Sequence, residues 1–123
     1  MKEDTRKQFA VFLSILLIIL IFTFIDFLFH LISPEYAVPD RYFRNKVIFA
    51  TIYSYVLYFA VKKLKPILAS FILSLAVAAL LQVRYYFEGY GNEFVFLFAG
   101  IHFFILWPLM WLFFKYKDRM MKQ

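Results

Sequence analysis

Apolar residues run almost unbroken from Phe9 to Ile32, and Ser33-Pro34 closes the run. Proline cannot donate the next helical hydrogen bond, so the pattern predicts a first helix over about 9–32, enough to cross a hydrocarbon layer of ~30 Å. Three further apolar stretches follow. Asp40 stands where an N-cap belongs, ahead of a helix over about 41–61. The short basic turn with Lys62, Lys63 and Lys65 makes the next helix an antiparallel neighbour, and Pro66 suits its first turn, giving a helix over about 66–87. Glu88-Gly89-Tyr90-Gly91 breaks that helix, and Asn92-Glu93 opens a fourth over about 93–116, with Pro108 inside it. No repeat or soluble domain interrupts this pattern. The expected fold class is an all-α integral membrane protein, a single domain over 1–123 with four transmembrane helices in an up-down bundle.

Composition agrees with a membrane solvent. Of the 123 residues 64% are hydrophobic and 24% aromatic, more apolar surface than a soluble chain of this length could bury. The N-terminal MKEDTRK has the charge pattern of a signal peptide, but the run behind it is too long and lacks a small-x-small site, so it is expected to remain a helix. With no cysteine, disulfide and thiolate chemistry are excluded. The net charge of +6 comes from cations at helix ends, where positive-inside bias and anionic headgroups account for them, so no nucleic-acid partner is expected.

The polar residues inside the helices carry the chemistry. On a wheel of about 100° per residue, Thr23, Asp26, His30 and Ser33 fall within an arc of about 80°. Thr51, Ser54, Tyr55 and Tyr58 make a similar arc on the second helix, with Tyr53 facing away. The third helix offers Ser70, Ser74 and Ala78 as a close-packing face with Arg84 and Glu88 over it, while Gln82 lies about 160° from Arg84 and is expected outside the site. His102 shares a face with Val95, Ala99, Leu106 and Leu109, opposite Trp107 and Trp111, and so points inward.

Ionisable residues within a membrane mark functional sites by default. Asp26, His30, Tyr55, Arg84, Glu88 and His102 are therefore the candidate ligand-binding cluster, open to the outer side above a greasy floor. Asp26 and Arg84 are expected to meet as counter-ions. Asp26 with His30 has the spacing of a base and its orienter, and His30, His102, Asp26 and Glu88 would be an acceptable metal shell if their helices converge, although no HxxxH or HExxH spacing exists and no metal, cofactor or catalytic residue is assigned. Three functional readings stand: a pocket for a small ligand, ion or lipid headgroup, with or without coupling to transport; a membrane-embedded enzyme acting on lipid at the outer leaflet; and an accessory subunit of a larger complex. The bilayer is the expected partner, with self-association or a larger assembly open.

Counting Lys and Arg places ten at the N-terminus, the 62–65 turn and the C-terminal tail, against four on the other side: Arg41, Arg44, Lys46 and Arg84. The expected location is thus the cell membrane with both termini cytoplasmic. A cysteine replacing Ala37 should then react with an impermeant reagent in intact cells while one near the C-terminus is shielded; the reverse labelling would invert the orientation.

Overall fold

In a computed structural model describing residues 2–122, with side chains through Lys117, the described residues form four α-helices and no strand. They are α1 (Glu3–His30), α2 (Arg41–Val61), α3 (Pro66–Phe87) and α4 (Asn92–Lys122), with a 3-10 turn at Pro34–Tyr36. Three of them, α1, α3 and α4, are long and apolar enough to cross a membrane. The first turns of α2 carry Arg41, Arg44 and Lys46, which makes it less apolar than the others.

The helix starts follow local chemistry. Glu3 and Asp4 lie in the first turn of α1, where the helix dipole favours them, and α1 begins six residues before the apolar run. Pro66 opens α3, as its locked φ favours. Asp40 departs from expectation: its backbone is already helical and its side chain makes no capping bond. The first turn is tied instead by Tyr42 N–H to the Pro39 carbonyl at 3.0 Å and Phe43 N–H to the Asp40 carbonyl at 3.1 Å. Gly89, at φ 88°, supplies the left-handed step that turns α3 into α4. Arg119 and Lys122, two of the cations in the charge count, lie outside the described side chains.

Each helix packs on its chain neighbours, and α1 closes the ring against α4. The interior is filled by Ile15, Ile19 and Phe22 of α1, Leu73 and Val77 of α3, and Leu106 and Met110 of α4, all at 0% exposure. Ala50 and Ser54 of α2 and Ala69, Ser70 and Ser74 of α3 are equally buried. Small side chains let helix backbones approach, and between membrane helices such packing replaces the hydrophobic drive that water would supply.

The distribution of polarity is inverted relative to a protein in water. Leu17, Phe24, Val56, Leu75, Phe96 and Phe104 face outward, while Asp26, Lys46, Gln82 and both histidines are buried. An apolar exterior around a polar centre is what a bilayer solvent demands.

If close approach at the small residues holds the bundle together, Ala50→Leu should overpack it and cost about 1–3 kcal/mol, whereas Leu75→Ala on the outer surface should cost less than about 0.5 kcal/mol. Thermal melts of the two purified variants in detergent check the contrast.

Candidate functional site

All four helices contribute to one buried polar cluster. From α1 come Asp26 and His30, four residues apart and therefore stacked on one face. Lys46 of α2, Gln82 and Tyr85 of α3, and His102 of α4 close around them. Their exposures run from 0% for Asp26 and His102 to 6% for Gln82.

The Asp26 carboxylate is the hub. Its Oδ2 accepts a hydrogen bond from Lys46 Nζ and lies 3.3 Å from His30 Nε2, while Oδ1 lies 2.9 Å from His102 Nε2. Lys46 Nζ also donates to the Tyr85 hydroxyl at 2.9 Å and sits 3.4 Å from His102 Nε2. An ammonium is thereby bonded to two oxygen acceptors, Asp26 and Tyr85, with the His102 ring beside it.

The surrounding bonds define the histidine tautomers. The Gln82 amide nitrogen lies 3.2 Å from the Ala78 carbonyl, which only accepts, so that atom is the donor and His102 Nδ1, 2.6 Å away, accepts from it. His102 therefore carries its proton on Nε2 and donates it to Asp26. His30 is held the other way: its Nδ1 donates to the Tyr36 carbonyl at 2.6 Å, and Nε2 faces the Tyr85 hydroxyl at 3.4 Å. The Asp26–Lys46 pair supplies opposite charges within a shell of polarisable rings.

Aromatic rings wall the cluster. Phe98 stacks on His30 with centroids 4.1 Å apart and planes 2° apart, and Phe22 meets His102 edge-on at 5.3 Å. Lys46 Nζ lies 5.5 Å from the centroids of both Phe43 and Tyr85. These faces lower the polarity around the cluster and raise the cost of separating the charges.

A partly open cavity of about 290 Å³ lies between α2 and α3, and Lys46 and Tyr85 are among its lining residues. Tyr42, Asn45 and Arg84 form its polar wall, and Phe49, Leu80 and Val83 are among its apolar lining.

The sequence-derived candidates divide. Asp26, His30 and His102 converge. Arg84 and Glu88 do not join them: Arg84 Nη2 lies 3.7 Å from Glu88 Oε1, and its guanidinium covers the Tyr42 ring at 4.4 Å. The counter-ion of Asp26 is Lys46, not Arg84. Tyr55 packs edge-on against Phe12 and Phe59 at 5.4 and 5.1 Å, outside the cluster. Gln82 and Arg84 do occupy opposite faces of α3, but it is Gln82 that points inward.

Lys46, Gln82 and Tyr85 escaped the sequence reading. A signal for Lys46 was present: Tyr42, Lys46, Ala50, Ser54 and Tyr58 recur every four residues and are all buried. In the turn beyond, burial first and then the adjacent Tyr42 push the Tyr90 phenol above its ordinary pKa, keeping it a neutral hydroxyl. No family model, curated protein or solved structure matches the chain.

Removing one charge of a buried pair strands the other, at about 3–5 kcal/mol. Asp26→Asn and Lys46→Met should each destabilise the protein by that order, and the double variant by much less than their sum. A thermal-melt double-mutant cycle reads this coupling, and the same cycle on Asp26 and Arg84 should give a value near zero.

Proposed function

We propose that the protein is a four-span membrane bundle, with both termini cytoplasmic, that binds an amphiphile with an anionic headgroup entering sideways from the bilayer. The observation carrying this reading is the cavity between α2 and α3, which sets two cations in an otherwise largely apolar wall. Arg84 supplies the positive charge that Asp26 does not already neutralise, with Lys46 beside it, and Tyr42 and Asn45 add hydrogen-bonding groups. The Arg84 Nε is buried and has no hydrogen-bond partner among the described residues, so a donor is available to a ligand.

The lining matches the two ends of such a molecule. A phosphate or carboxylate would lie against the guanidinium and ammonium, and its chain would follow Phe49, Leu80 and Val83 to the lipid phase. In this arrangement α2 is the fourth span despite its basic first turns, because Lys46 turns inward and Arg41 and Arg44 remain at the membrane edge.

Native mass spectrometry of the purified protein with phosphatidylglycerol or phosphatidylcholine is the test. Phosphatidylglycerol is expected to bind more tightly, and Arg84→Gln should weaken it about tenfold to a hundredfold, the loss of one charge-assisted hydrogen bond of ~1.5–3 kcal/mol. Equal binding of both lipids by wild type and variant would sink the reading.

A further inference from the structure

The Asp26–His30–His102 group has a second property, which does not rest on the amphiphile reading of the cavity. One donor atom from each residue lies within 4.8 Å of the others, and the two carboxylate oxygens divide the histidines between them, Oδ1 lying 2.9 Å from His102 Nε2 and Oδ2 lying 3.3 Å from His30 Nε2. Ligand atoms around a tetrahedral zinc ion, at about 2.0–2.1 Å from the metal, stand about 3.3 Å apart. The donors are thus spaced for a single small cation.

Both histidines are also oriented from behind. Metal-binding imidazoles characteristically engage their other nitrogen with a carbonyl or carboxylate, which fixes the ring and the tautomer. The Tyr36 carbonyl does this for His30, and Nε2 is the ring atom directed at the cluster. Gln82 holds His102 Nδ1, and its own Oε1 is buried without a hydrogen-bond partner among the described residues. Rotating this amide would present Oε1 to an Nδ1–H, giving up the bond to Ala78. The His102 proton would then sit on Nδ1, and the ring would remain neutral with Nε2 free to ligate.

A cation already stands there. Lys46 Nζ contacts Asp26, Tyr85 and His102, so a tethered ammonium stands beside two of the three donors. Lys46 also lines the cavity between α2 and α3, which gives its side chain somewhere to go. We propose that Asp26, His30 and His102 form a binding site for a divalent cation of the zinc class, with the Lys46 ammonium as a built-in competitor that withdraws into the cavity when the metal binds. A two-histidine, one-carboxylate set suits zinc, cobalt or iron(II), and the Tyr85 hydroxyl lies beside it as a further oxygen donor.

Cobalt(II) is the probe, because its visible spectrum reports ligand geometry. Lys46→Met is expected to take up one equivalent and to bind it at least tenfold more tightly than wild type. Adding His30→Ala or His102→Ala should abolish that uptake and the visible bands. Folded Lys46→Met that takes up less than a tenth of an equivalent, or uptake indifferent to both histidine substitutions, overturns the proposal. If Lys46→Met does not fold, the wild-type protein decides through histidine side-chain NMR during zinc titration. Joint movement of the His30 and His102 resonances supports the site, and two unmoved resonances at a tenfold excess of zinc overturn it.

Discussion

A carboxylate at the centre of an apolar bundle is the constraint on which the rest depends. Asp26 is fully buried, and an isolated ion there would be prohibitively costly. Every helix answers it. Lys46 comes from α2, Tyr85 and Gln82 from α3, His102 from α4, and His30 from the next turn of α1 itself. Because the partners are distributed, satisfying one charge fixes the rotation of four helices about their axes. Apolar packing alone gives weaker orientational information in lipid, where a leucine turned outward meets a solvent as apolar as the interior.

The helices were largely legible in the sequence because their signals are local. Ser33-Pro34, Pro66 and the Glu88–Gly91 break lie within a few residues of the observed ends of α1, α3 and α4. The site was legible on α1 and α4, where Asp26, His30 and His102 are conspicuous interruptions of apolar runs. On α3 the wheel separated Gln82 from Arg84 correctly, yet apolar residues surround both, so nothing on that helix alone states which side faces in. Formal charge favoured Arg84; the structure buries the neutral amide and leaves the guanidinium near the edge.

Lys46 illustrates a different obstacle. A lysine just over a turn inside a helix has a stem long enough to carry its charge to the headgroups or to the interior. Counting it among the external cations assumes the first. The second wins because Asp26, twenty residues away, supplies a buried counter-charge that only the tertiary structure reveals. The same long-range origin explains why Tyr55, placed beside Ser54 and Tyr58 on a shared arc, ends among aromatic rings instead.

One feature of the connection between α1 and α2 gives the buried centre a mechanical outlet. The His30 Nδ1–H is donated to the backbone carbonyl of Tyr36, at the end of the short 3-10 turn. That carbonyl can only accept, so moving the proton off Nδ1 would break the bond and release the turn. The Tyr36 ring also rests edge-on against Phe98, 5.6 Å away, while Phe98 stacks on His30. The loop is thus latched to the cluster at two points, and a rearrangement at His30 would strain both.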